Sequence, residues 1–154
     1  MDWNNEEIKI PALIFINLML SLGTVFLHTC AGSLVHKVGS ILVGRLRKRP
    51  TIFDETLIVS TMVIILSTFH FLEVTLWGAA LYGLGAVNTI ADAGYFSLTT
   101  YTTLGATDVP FDQRFRALAG FESLLGPLMI AWSTALIATV LVRLAELKQQ
   151  MLKK

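Results

Sequence analysis

The chain has 154 residues, 54% of them hydrophobic and 15% charged, with a formal net charge of +1, and its mean hydropathy is +0.65. That balance excludes an ordinary soluble domain, and so small a net charge excludes bulk attraction to nucleic acid. One cysteine, Cys30, cannot form an internal disulfide, and the sequence leaves no polar stretch long enough for a soluble catalytic or ligand-sensing domain. The expectation is an all-α membrane protein that is not an enzyme and acts within the bilayer.

Residues 1–10 carry Asp2, Glu6 and Glu7 against Lys9, the opposite of the basic start of a secretory signal, and read as an external N-terminal segment. Residues 11–36 read as a first transmembrane helix. From Pro11 to Val35 there is no charged residue, and at about 1.5 Å per residue this stretch exceeds the roughly 30 Å of bilayer hydrocarbon. Residues 37–55 read as a basic loop holding Lys37, Arg45, Arg47, Lys48 and Arg49, closed by Pro50, with Asp54 and Glu55 placed to open the next helix. Cationic loops stay in the cytoplasm.

A second apolar run from Thr56 to about Leu84 is interrupted only by His70 and Glu73. Asn88, Thr89 and Asp92 then mark a break, with Asp92 expected to cap a short helix through Thr102 or Thr103. Its roughly three turns cannot cross a membrane. The hydroxyl-rich stretch Ser97 to Asp108 follows, and irregular backbone at membrane depth is tolerated only where it is buried or lines a water-filled path. Val109-Pro110-Phe111-Asp112 is a tight turn, a long helix is expected from near Arg114, and Ser123 to Val142 gives twenty residues without a charge. Residues 143–154 read as a cytoplasmic helical tail. The distribution of cations implies a multi-pass protein of the inner (plasma) membrane with its N-terminus outside and its C-terminus in the cytoplasm.

A helix, a short re-entrant helix, a threonine-rich strand and a second helix is the arrangement of potassium-channel pore domains. Tyr95-Phe96-Ser97-Leu98-Thr99-Thr100-Tyr101-Thr102-Thr103-Leu104-Gly105 resembles their pore helix and filter entrance, where Y-F-S-L-T-T-x-T-T-L-G-Y-G-D is common. The segments His70-Phe71-Leu72-Glu73, Phe121-Glu122-Ser123-Leu124-Leu125-Gly126 and Ala131-Trp132-Ser133-Thr134 also resemble the small bacterial ion-channel family. The resemblance implies a pore domain over residues 56–142, with the first helix an addition to it. It further implies a homotetramer in membrane lipid that conducts monovalent cations, with permeant K+ or Na+ and no cofactor or other metal. The implied ion-binding filter residues are Thr103, Leu104, Gly105, Ala106 and Thr107, with Asp108 ringing the outer mouth.

The sequence departs from the family at the filter, where Leu-Gly-Tyr-Gly-Asp is replaced by Leu104-Gly105-Ala106-Thr107-Asp108. Thr107 stands where a glycine serves a left-handed backbone position, which costs a non-glycine residue about 1–2 kcal/mol. Ala106 lacks the tyrosine ring packed behind the family's filter. The expected result is a wider outer filter and reduced potassium selectivity. The alternatives are a pore-shaped protein that does not conduct and serves as a sensor or assembly partner, and a small redox subunit in which His28 and His70 clamp a haem.

Five further residues carry expectations of filter support or gating. His70 and Glu73, one helical turn apart in an apolar run, read as a buried hydrogen-bonded pair bracing the pore helix, or as a proton-sensing or metal site. Glu122 reads as a buttress behind the filter or a pH-sensitive gating group. Gly126-Pro127 invites a kink, either a gating hinge or a static bend. Leu141, Leu144, Leu147 and Met151 recur at helical spacing and suggest a bundled extension of four inner helices.

Overall fold

The computed structural model describes residues 9–46, 50–105 and 108–152. Among the described residues there are four α-helices, one short 3-10 turn and no strand: α1 (Lys9–Gly44), α2 (Ile52–Gly83), α3 (Ile90–Tyr101), the turn Gln113–Phe115, and α4 (Arg116–Leu152). Three of them, α1, α2 and α4, are long and apolar enough to cross a membrane. The 12 residues of α3 make only about 18 Å of helix.

The helix boundaries follow from local chemistry. Helix α1 continues through 37–44, a stretch read from the sequence as loop, because Val38, Ile41, Leu42 and Val43 keep supplying an apolar face and no proline intervenes before Pro50. Helix α2 begins four residues before the expected Thr56, since Thr51 and Asp54 form a capping box. The Thr51 amide donates to Asp54 Oδ2 at 2.8 Å and the Asp54 amide donates to Thr51 Oγ1 at 3.3 Å. Its other end closes in a Schellman turn: Gly85 sits at φ +72°, its amide donates to the Tyr82 carbonyl at 3.0 Å, and the Ala86 amide donates to the Leu81 carbonyl at 2.9 Å. A side chain at Gly85 would be strained there.

The chain divides into two compact units. The first combines Met1–Leu27 with Phe71–Met129, and the second His28–His70 with Ile130–Lys154. The core of the first is built from Leu20, Trp77, Leu81, Val87, Phe96 and Leu118. The indole of Trp77, fully buried, satisfies its N–H by donating to Thr24 Oγ1 at 2.9 Å. Helices α2 and α3 approach closely at Gly78, where a Cβ would lie 3.2 Å from the Ala93 carbonyl oxygen.

In the second unit Ala31, Val35, Val43, Ile58, Met62, Leu66 and Leu144 form the core, with Leu147 packed against it. An ion pair between Glu55 and Lys148 lies at its margin. Leu144 is thus buried within its own chain, and Leu147 packs on the same cluster. Of the pattern Leu141, Leu144, Leu147 and Met151, Leu144 is covered by α1 and α2 of the same chain, whereas Leu141 stays exposed. Ile14, Phe15, Leu22, Phe26, Phe53 and Leu57 are exposed, the surface a membrane helix presents to hydrocarbon.

Candidate functional site: a buttressed pore loop

The first unit holds the hydroxyl-rich stretch, and its geometry starts at the N-terminus of α3. The cap is Thr89: the Asp92 amide donates to Thr89 Oγ1 at 3.0 Å, and the Thr89 hydroxyl donates to Asp92 Oδ2 at 2.8 Å. Asp92 was expected at the cap itself. It instead occupies the third helical position, where its carboxylate completes the box and meets the positive end of the helix dipole.

From there α3 is held by two buried acids. The Ser97 hydroxyl touches the Val74 carbonyl oxygen at 2.8 Å and hydrogen-bonds the Glu122 carboxyl. One turn later the Tyr101 hydroxyl donates to the Glu73 carboxyl. Glu73 and Glu122 are both 0% exposed, so each stands in a low-dielectric setting where an unpaired carboxyl costs several kcal/mol. Hydrogen bonding to α3 offsets that cost, and it fixes both the rotation and the height of the helix against α2 and α4. Glu122 Oε2 is buried and has no partner among the described residues.

A third constraint is steric. The carbonyl of Tyr101 lies on Gly126: a Cβ there would overlap the carbonyl oxygen and come within 2.8 Å of the carbonyl carbon and 3.1 Å of Cα. Gly126 therefore has a packing reason to be glycine, because any side chain would push the end of α3 off α4. Pro127 lies inside α4, which is helical on both sides of it. Phe96 stacks on Phe111, centroids 4.4 Å apart and planes within 5°. The Asp112 amide donates to the Ala86 carbonyl at 3.0 Å, which ties the returning loop to the α2–α3 turn.

Beyond Tyr101 the chain curls over its own helix end. The amides of Thr102, Thr103 and Gly105 donate to the carbonyls of Leu98, Thr100 and Thr99 at 3.1, 3.0 and 3.0 Å. Gly105 takes φ +77°, and Thr103 takes φ +61°. The sequence reading put left-handed strain at position 107; among the described residues it falls on Thr103, a β-branched residue for which that region costs about 1–2 kcal/mol. Ala106 and Thr107 lie outside the described residues.

Thr102, Thr103, Leu104, Gly105 and Asp108 are all exposed, Leu104 at 78%, whereas Ala93, Phe96, Ser97, Thr100 and Tyr101 on α3 are buried. A cavity of about 410 Å³ runs beside the loop, lined by Thr100, Thr103, Gly105, Ala119, Gly120 and Ser123. The chain thus has a short helix held by buried contacts and, directly after it, an exposed loop.

The second unit contains a separate polar cluster. His70 Nε2 and Ser133 Oγ are 2.9 Å apart, and Ser133 Oγ lies 3.4 Å from His28 Nε2. The two imidazole centroids are 5.3 Å apart, and the Trp132 ring is 5.3 Å from His28. Both Nε2 atoms face one serine hydroxyl. Ser97, Tyr101 and Ser133 stand in the quoted motifs but carried no role in the sequence reading. The available signal was a hydroxyl in an apolar helical segment, which must find a partner when buried.

The fold and this loop together define a membrane protein of the pore-loop type: two spanning helices with a short helix and an irregular polar loop between them, preceded here by one more span. The chain belongs to the ion channel family, whose model matches residues 58–143. Comparisons with curated proteins and with solved structures gave no match.

Proposed function

We propose that four copies of the chain assemble around the loop Thr102–Asp108 and form a pathway for monovalent cations that discriminates poorly between potassium and sodium. The observation that carries this reading is the asymmetry of the loop. The helix that leads into it is pinned at Ser97 and Tyr101 by Glu122, Glu73 and Gly126, while Thr103, Leu104 and Gly105 are left exposed in the single chain. A filter of this kind replaces an ion's water with rings of oxygens from several subunits, so the loop of one protomer must be uncovered on the side of the axis. One chain supplies one such loop, and a closed rotational assembly supplies the ring.

In that assembly Thr103 offers its hydroxyl and carbonyl oxygens, Leu104 its carbonyl, and Asp108 a ring of negative charge that concentrates cations at the mouth. Ala106 and Thr107 replace the tyrosine and glycine that shape the outer rings in potassium channels, so fewer rings act in series. Charge distribution supports a plasma-membrane orientation with the basic 45–49 segment and the C-terminus in the cytoplasm and the loop mouth outside.

Reconstituted vesicles test the proposal. The expected result is flux of both potassium and sodium with a modest preference for potassium, carried by a species of tetramer mass in detergent. The double substitution A106Y/T107G should raise potassium preference, while Thr103→Ala lowers cation affinity in either background. Strong exclusion of sodium by the unmodified protein would overturn the selectivity argument. A stable monomer or dimer would overturn the pore, and a tetramer without flux would leave the non-conducting reading in its place.

A further inference from the structure

At the basic end of the second unit, α1 and α4 line an open cavity of about 410 Å³ whose polar walls are Ser40 on α1 and Arg143, Glu146 and Gln150 on α4. Val43 and Leu147 supply its apolar floor. Positions 143, 146, 147 and 150 share one face of α4, as 40 and 43 are near neighbours on α1. Arg143 Nη1 donates to Ser40 Oγ at 3.3 Å. Arg143, Glu146 and Gln150 are exposed, and among the described residues no side chain pairs with Glu146. The cavity therefore presents a guanidinium and a carboxylate one helical turn apart.

Its depth is set by the sequence. Residues 123–142 carry no charge and Arg143 is the first ionic residue after them, while Lys37 and Arg45 flank the α1 side. The cavity thus opens at the boundary between hydrocarbon and water, where phospholipid headgroups lie. A purely anionic ligand would meet Glu146 as well as Arg143, and a purely cationic one the reverse. The chemistry that satisfies both walls is a phosphate ester with a hydrogen-bond-donating cation a short linker away. Side-chain origins one turn apart are separated by about 5–6 Å, which suits a two-carbon linker.

We propose that this cavity binds the phosphoethanolamine headgroup of a membrane phospholipid, with the phosphate on Arg143 and the ammonium on Glu146 and Gln150. The inference rests on the membrane-spanning helices and not on ion conduction. Guanidinium–phosphate contacts are strong because both partners are charged and the planar fork matches the oxygens. Glu146 confers the selection: a trimethylated ammonium has no N–H to give, and a glycerol headgroup carries no positive charge.

Native mass spectrometry of the full-length protein, with phosphatidylethanolamine, phosphatidylcholine or phosphatidylglycerol of identical acyl chains, tests the site directly. The expected result is retention of phosphatidylethanolamine about tenfold above the other two, the factor for one hydrogen bond to a charged group. Arg143→Gln should abolish that retention. Glu146→Gln should keep phosphate binding but erase the preference over phosphatidylcholine. Lys37→Gln, which removes a nearby exposed charge outside the cavity, should change nothing, and an equal loss there would overturn a local site. Water-soluble glycerophosphoethanolamine separates the sources: if it binds in the cavity and the diacyl lipid does not, the ligand is the free ester and the lipid assignment fails. Equal retention of all three lipids, unaltered by either cavity substitution, would overturn the proposal.

Discussion

Replacing Gly126 by alanine isolates the contact that seats the end of α3. The added methyl would coincide with the Tyr101 carbonyl, and the carbonyl carbon must retreat from 2.8 Å to the 3.4 Å of ordinary contact. The obstructing atoms belong to backbone, so no rotamer change relieves them, and the whole end of α3 must lift from α4. Overpacking of this kind costs about 1–3 kcal/mol and more where the neighbour cannot yield. The same helix supplies a control: a Cβ at Gly120 meets nothing within 4 Å in the chain, so Gly120→Ala should be neutral or stabilise by up to about 1 kcal/mol through helix propensity. Unfolding of the reconstituted protein in increasing denaturant measures both, and cation flux reports whether the lifted helix end drags Thr103 with it. If Gly126→Ala unfolds within about 0.5 kcal/mol of the unmodified protein, the range of an inert surface change, and its flux is unaltered, the close approach does not exist and the seating argument fails.

Tyr101→Phe removes the donor to buried Glu73 and should destabilise by about 1–3 kcal/mol, the cost of leaving a buried acceptor unsatisfied, whereas loss below about 0.5 kcal/mol would place another donor on that acid. Thr89→Ala deletes the α3 cap at a cost of about 1 kcal/mol, which Thr89→Ser should restore; denaturant midpoints read both. At Thr103, with φ +61°, glycine should relieve strain and raise stability while losing the hydroxyl and lowering cation affinity. Thr103→Ala should keep the strain and lose the hydroxyl, so stability rising equally in both would refute the left-handed assignment.

Much of this architecture was legible because a bilayer constrains sequence so severely. Charge-free runs fixed the spans, and Thr89 with Asp92 announced a helix start even though the roles of the two residues were exchanged. The end of α1 was misjudged at Lys37 because a single cation looks like a boundary, yet a lysine can reach water while its backbone remains helical and its neighbours stay apolar. Periodicity at Leu141, Leu144, Leu147 and Met151 states that a face is covered, never by what, and Leu144 finds its cover within its own chain.

The candidate site was legible in its residues more than in its mechanics. A threonine-rich loop between spans points to an oxygen-lined path, and the acids at positions 73 and 122 stand out in apolar surroundings. What they touch is a three-dimensional matter: Glu73 and Glu122 reach the same short helix from opposite neighbours, one turn apart, at Tyr101 and Ser97. Together with the glycine seat at 126, these contacts hold the helix end that leads into a loop whose own backbone is unfavourable at Thr103. Strain of about 1–2 kcal/mol in a β-branched residue persists only when its surroundings over-determine the conformation. Two buried hydrogen bonds and a backbone contact at the adjoining end of α3 supply that excess, so the buttress accounts for a strained backbone at an exposed threonine of the single chain.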